Sequence, residues 1–115
     1  MRPNDYQTLA MRTCRFDISN DEEREWMVHH ALFGLSSEVG EVLGCYQKSY
    51  QGHKLDATRI YEEVGDVLWM VAELCSAYGW ELEGVMQYNI DKLKKRYPDG
   101  FDPERSIHRI EYRKD

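Results

Sequence analysis

The chain has 115 residues, a formal net charge of −6 and a sequence pI of about 5.2. Hydrophobic residues make up 42% of it, which is enough for one modest core and excludes a disordered chain. The chain is acidic overall, whereas a protein that binds polymeric nucleic acid needs a basic stripe on its surface. The most apolar run, residues 64–80, is interrupted by Asp66 and Glu73 and is too short to span a membrane. We therefore expect a single domain over residues 1–115 that binds neither polymeric nucleic acid nor a membrane.

Cysteine usage and the N-terminal residues indicate the cellular compartment. Cys14, Cys45 and Cys75 have spacings that match no zinc or CxxC pattern. We expect them to be reduced and buried, as small hydrophobic residues are in a reducing cytosol. The N-terminal residues have no apolar segment typical of a signal peptide. The sequence thus predicts a cytoplasmic protein.

Hydrophobic periodicity predicts four helices in chain order, at about 4–15, 19–50, 57–78 and 82–97. Ser19 and Glu22 have the spacing of a capping box at the start of the second helix. Gly52, Gly79 and Pro98 predict the ends of the second, third and fourth helices. Residues 98–106 are predicted to form turns, followed by a polar tail to residue 115. With no strand alternation, the sequence predicts an all-α antiparallel helical bundle of about four helices.

Two carboxylate pairs interrupt the apolar faces of the second and third helices. At about 100° per residue, Glu38 lies near the middle of an apolar stripe and Glu41 lies at its edge. The stripe around Glu38 consists of Met27, Ala31, Leu35, Val42 and Cys45. Glu63 and Asp66 repeat this arrangement on the third helix. Because short loops make successive helices antiparallel neighbours, the two pairs are predicted to face each other.

Four converging carboxylates cannot all remain ionised in a low-dielectric site without cations. One alternative is that their pKa values are raised and protons are shared, and another is that the helices are rotated and the groups are solvated. Two matched pairs on successive helices favour a metal site over both. Oxygen ligands select Mg²⁺, with Mn²⁺ possible, and metal-bound phosphate is the usual partner of such a cluster.

The fourth helix supplies positive charge on the same face as its apolar residues. Asn89, Lys92 and Arg96 follow i, i+3, i+7 spacing and continue the apolar stripe, so we predict that they contact phosphate. The alternative is that these cations only complement the C-terminal end of the helix dipole. Lys48, two turns beyond Glu41, is a further candidate for substrate binding.

The same residues carry a resemblance to a known family. The chain reads ExxE at Glu38 to Glu41 and ExxD at Glu63 to Asp66, and it contains the blocks HHALFGLSSEVGEV, YEEVGDVLWMVAEL, NIDKLKKRYPDGF and SIHR in order. From about Tyr6 to Arg109 it resembles the MazG-like nucleotide pyrophosphohydrolases of the all-α NTP pyrophosphatase superfamily.

The resemblance implies an activity. Such enzymes cleave a nucleoside triphosphate between the α and β phosphates and release a nucleoside monophosphate and pyrophosphate. It implies that the four carboxylates bind Mg²⁺ and that Asn89, Lys92 and Arg96 hold phosphate oxygens. Glu41 and Glu62 are both candidates for the general base. The resemblance also implies a homo-oligomer, dimer or tetramer. The apolar faces of the third helix support association, with Val64 and Trp69 as candidates for the contact.

Other interpretations remain open from the sequence. Phosphoribosyl-ATP pyrophosphohydrolase belongs to the same superfamily, and a non-catalytic nucleotide-binding regulator or a structural dimerisation module is possible in other classes. The residues that read the base are not determined. Candidates are Tyr6, Trp26, His29, His30 and Trp69.

Overall fold

A computed structural model describes residues 1–109, and the predicted tail after residue 109 lies outside them. Its elements are α1 (Pro3–Ala10), a 3₁₀ turn (Met11–Thr13), α2 (Asp21–Tyr50), α3 (Ala57–Ala77), α4 (Leu82–Arg96) and α5 (Pro103–His108). Residues 1–109 contain no β-strand, so the all-α prediction is confirmed. These residues divide into two compact units, Met1–Leu82 and the chain from Glu83 onward.

The long helix α2 begins one residue later than the predicted capping box requires. Its N-cap is Asn20, whose side chain accepts a hydrogen bond from the backbone N–H of Glu23 at 3.0 Å. Ser19 donates its hydroxyl to Asp17 Oδ1 at 2.6 Å instead. The capping-box prediction was therefore wrong, because the Ser19 hydroxyl bonds to Asp17 in the preceding turn.

Glycines end α2 and α3 as predicted, whereas α1 is shorter than predicted. Gly52 and Gly79 have φ values of 94° and 73°, the left-handed conformation that ends a helix. The first helix stops at Ala10 rather than near residue 15, and the chain continues as the 3₁₀ turn.

The short helix α5 lies where turns were predicted. Asp102 accepts a hydrogen bond from the N–H of Glu104 at 2.9 Å, and Pro103 occupies the first helical position. Both residue types favour a helix start, so the prediction of turns alone was wrong.

Helices α2 and α3 pack antiparallel and form the core of the first unit. Three pairs of facing residues define their register. His30 contacts Glu73 at one end, and Glu38 lies beside Glu63 at the other. Between them, Gly34 lies so close to Met70 that an added Cβ would overlap the Met70 side chain. Small residues permit this close approach. The buried apolar residues of the unit are Ala10, Met27, Ala31, Ala72, Cys75, Ala77 and Leu82. This register brings the two predicted carboxylate pairs to the same level of the helix pair.

The N-terminal segment forms hydrogen bonds with α3 and with the first residue of α4. Gln7 donates to the Ser76 hydroxyl at 3.0 Å and accepts from the N–H of Leu82 at 2.8 Å. The Trp69 indole donates to the carbonyl oxygen of Ala10 at 2.9 Å. Of the helices within residues 1–109, none has the length and apolar character needed to cross a membrane.

Candidate metal and phosphate site

Three carboxylates meet between α2 and α3. One oxygen each from Glu38, Glu63 and Asp66 lies within 4.8 Å of the others. Glu63 is 6% exposed, Glu38 is half-buried and Asp66 is exposed, so the group has a buried side and a side open to solvent. We call these three residues the carboxylate cluster.

The carboxylate cluster carries unbalanced negative charge. Burial, a hydrogen bond with Glu63 and the nearby charges of Asp66, Glu63 and Glu41 together raise the pKa of Glu38. A divalent cation bound among the three carboxylates would relieve this repulsion, and an all-oxygen donor set fits Mg²⁺ or Mn²⁺.

A cation on α3 contacts the carboxylate cluster. Arg59, one turn before Glu63 on α3, donates its Nε–H to Glu63 Oε1 at 2.9 Å. This bond raises the pKa of Arg59 further above its ordinary value. It also fixes the orientation of the Glu63 carboxylate. Arg59 was not predicted to have a role, although its i, i+4 spacing from Glu63 indicates an ion pair.

Glu41 and Lys48 lie beside the carboxylate cluster rather than in it. Glu41 is exposed and is not among the three carboxylates that lie within 4.8 Å of one another, but its charge acts on Glu38 and Arg59. Glu41 and Lys48 line a cleft of about 200 Å³. Its lining residues are Glu41, Gly44, Cys45, Lys48, His53, Lys54, Asp56 and Arg59. We call this the basic cleft.

The three predicted phosphate contacts of the fourth helix belong to the second unit. Lys92 and Arg96 are half-buried on α4 and Asn89 is exposed. The Arg96 guanidinium lies 5.7 Å from the centre of the Tyr97 ring. Phosphate contact by these residues stays a prediction.

The candidates for base recognition have different surroundings. Trp69 packs within its own unit, where its indole nitrogen bonds the N-terminal segment and its ring lies edge-on to His30. Trp69 is half-buried and Val64 is exposed, and contact of either residue with a partner subunit stays a prediction. Trp26 and His29 are exposed. Burial and the charge of Asp66 raise the pKa of Tyr6, so Tyr6 is an aromatic candidate on which the charge of the carboxylate cluster acts.

A buried carboxylate on α3 was not predicted to have a role. Glu73 is 0% exposed, and its two oxygens lie 2.7 and 3.0 Å from His30 Nδ1. The Cys14 thiol donates to it at 3.6 Å. Glu73 interrupts an apolar run, which signals a buried polar group, but both partners come from distant parts of the sequence. We call Glu73 and His30 the buried pair after Glu73, since His30 itself is exposed.

The cysteines within residues 1–109 are all free. Cys75 is buried as predicted, whereas Cys14 and Cys45 are half-buried. Burial raises the pKa of the Cys14 and Cys75 thiols, which disfavours the reactive thiolate form.

The fold and the carboxylate cluster define an all-α protein with a candidate divalent-cation centre between two antiparallel helices. The sequence profile of the MazG nucleotide pyrophosphohydrolase domain matches residues 28–101, more than half of the chain. The chain therefore belongs to the MazG family, as the sequence resemblance predicted. The matched segment contains all four predicted metal ligands and helix α4.

A phage protein is similar to this chain over most of its length, and its name states no activity. The Gene 37 protein of Mycobacterium phage L5 is 28% identical to this chain over 100 residues, which cover 83% of this chain and 88% of that protein. No solved structure matches the chain.

Proposed function

We propose that the protein hydrolyses nucleoside or deoxynucleoside triphosphates between the α and β phosphates, with Mg²⁺ as the cofactor and Mn²⁺ as a possible substitute. The observation that carries the proposal is the approach of Glu38, Glu63 and Asp66 to within 4.8 Å inside a MazG domain. Phosphoryl transfer depends on positioning and charge neutralisation, which such a cluster serves.

In this reaction the carboxylates serve as metal ligands. Glu38, Glu63 and Asp66 would hold Mg²⁺, and Glu41 would complete the oxygen set from the side of the basic cleft. Bound Mg²⁺ supplies charge neutralisation at the phosphates and lowers the pKa of a coordinated water. Arg59 keeps the Glu63 carboxylate oriented for this task.

The bond changes are those of hydrolysis. The oxygen of a water molecule forms a bond to the α phosphorus, and the bond from that phosphorus to the α–β bridging oxygen breaks. The electron pair leaves with pyrophosphate, and the other product is the nucleoside monophosphate. The water proton passes to a carboxylate, and Glu41 and Glu62 are both exposed and able to pass it on to solvent. Asn89, Lys92, Arg96 and Lys48 would hold phosphate oxygens.

The test is to measure pyrophosphate and nucleoside monophosphate released from a panel of ribo- and deoxyribonucleoside triphosphates, with Mg²⁺ and with EDTA. We expect both products in equal amounts, only with the metal. Orthophosphate and a diphosphate would contradict cleavage at the α–β bond. No release from any triphosphate would contradict the proposal and lead to phosphoribosyl-ATP as the next substrate, and then to a non-catalytic binder.

We also propose that the protein is a cytoplasmic homo-oligomer. A small helical unit buries little apolar surface by itself. Several large apolar side chains of α2 and α3 are exposed, namely Leu32, Phe33, Val39, Leu43, Val64 and Leu68. Light scattering coupled to chromatography should give the mass of a dimer or a tetramer, and the mass of a monomer would contradict this.

A further inference from the structure

The basic cleft lies directly beside the carboxylate cluster. Its walls come from the C-terminal part of α2, the loop of residues 51–56 and the first turn of α3. Its volume, about 200 Å³, is below the roughly 300–1,000 Å³ of pockets that enclose drug-sized ligands. The basic cleft therefore suits a small ionic group rather than a whole nucleotide.

The charges of the cleft favour an anion. Lys48, Lys54 and Arg59 line it, opposed by Glu41 and Asp56. The Asp56 carboxylate already accepts hydrogen bonds from the backbone N–H groups of Thr58 and Arg59, at 3.0 and 3.4 Å, as the cap of α3. Within residues 1–109 the structure gives Lys48 and Lys54 no ion-pair partner. Two lysines without an ion-pair partner in one cleft are a specific local feature of a chain with a net charge of −6.

Two residues connect the basic cleft to the carboxylate cluster. Arg59 lines the cleft and donates its Nε–H to Glu63, and a guanidinium has further N–H donors beyond that one. Glu41 lines the cleft, and its charge acts on Glu38. The basic cleft is therefore the neighbouring space into which a phosphate chain held at the carboxylate cluster would extend.

We propose that the basic cleft binds the β and γ phosphates of the substrate, which become the pyrophosphate product. The α phosphate then lies at the carboxylate cluster, and the bond that breaks lies at the boundary between the two. Lys48, Lys54 and Arg59 stabilise the negative charge that develops on the leaving pyrophosphate. This inference rests on the proposed function and adds the direction in which the triphosphate lies: its terminal phosphate points toward the loop of residues 51–56.

The test is calorimetric titration of inorganic pyrophosphate into the full chain at constant Mg²⁺ concentration. Lys54→Ala should weaken pyrophosphate binding about tenfold, the loss of one charge-assisted contact. Lys54→Arg should retain most of the affinity, and binding of a nucleoside monophosphate should be unchanged in both variants. The control is Arg12→Ala, which removes a positive charge from an exposed residue that does not line the cleft.

The outcomes separate this inference from the proposed function. Hydrolysis of triphosphates together with wild-type pyrophosphate affinity in Lys54→Ala would overturn the cleft assignment and leave the function standing. An equal loss in Arg12→Ala would show a general charge effect and would also overturn it. If no triphosphate is hydrolysed, but pyrophosphate binds and depends on Lys54, the cleft assignment is supported and the proposed function fails.

Discussion

The helix pair α2 and α3 contains two places where ionisable side chains face each other from opposite helices. In the buried pair, Glu73 is completely enclosed, and His30 and the Cys14 thiol contact its oxygens. In the carboxylate cluster, three acidic groups lie together, and Arg59 pairs with one of them, Glu63. The buried pair has its partners within the chain, whereas the carboxylate cluster is short of positive charge.

This difference separates a structural carboxylate from one available for a ligand. A buried acidic group with hydrogen-bond partners is satisfied and contributes to stability through them. Acidic groups that repel one another are satisfied by protons, as the raised pKa of Glu38 indicates, or by a cation. We therefore expect substitutions in the buried pair to affect mainly stability and those in the carboxylate cluster to affect mainly activity.

The largest expected effect is on turnover. Glu38→Gln removes one charged oxygen ligand while preserving side-chain shape. We expect pyrophosphate release to fall at least about 100-fold, because losing even an outer partner of a metal site costs 10–100-fold. Circular dichroism should remain that of the wild type. Full activity in this variant would refute the assignment of the carboxylate cluster.

The buried pair should respond in the opposite way. Glu73→Gln replaces a fully buried charged acceptor and should lower the free energy of unfolding by about 1–3 kcal/mol, measured by urea denaturation. Activity per folded molecule should persist. Glu25→Gln, at an exposed position of α2, is the matched control and should stay within about 0.5 kcal/mol of the wild type. A Glu73→Gln protein that is stable but inactive would contradict the comparison.

Mg²⁺ should stabilise the protein through the carboxylate cluster alone. At a free concentration ten times the dissociation constant, binding to the folded state adds about 1.4 kcal/mol. Differential scanning calorimetry should show Tm rising with Mg²⁺ in the wild type and in Glu73→Gln, but not in Glu63→Gln. An equal rise in all three proteins would place the metal effect elsewhere.

The smallest effect expected is a gain in stability without metal. The folded-state pKa of Glu38 is raised, so the stability of the metal-free wild type falls as pH rises from the ordinary Glu pKa through the raised one. Glu38→Gln lacks this loss. At neutral pH the metal-free Glu38→Gln protein should therefore have a higher Tm than the metal-free wild type, measured by differential scanning calorimetry. The gain should disappear below the ordinary Glu pKa, and a gain that persists there would have another cause.

Sequence reasoning was most successful where the signal was periodic or local. The three long helices follow from apolar spacing, and Gly52 and Gly79 end two of them as predicted. The same periodicity placed Glu38, Glu63 and Asp66 on facing sides of two helices. Competing local signals caused the errors: a side-chain bond to Asp17 displaced the cap of α2, and the start signals at Asp102 and Pro103 were overlooked.

By itself, the sequence determined the all-α class, the family and the residues that face inward from α2 and α3, because helical periodicity fixes which side chains share a face. The tertiary structure decided which of these meet. Only the register of α2 against α3 groups Glu38 with Glu63 and Asp66, sets Glu41 beside a cleft, and pairs Glu73 with His30. That register depends on how closely the helices pack at small residues such as Gly34, and on contacts between residues far apart in the chain, which no local pattern specifies.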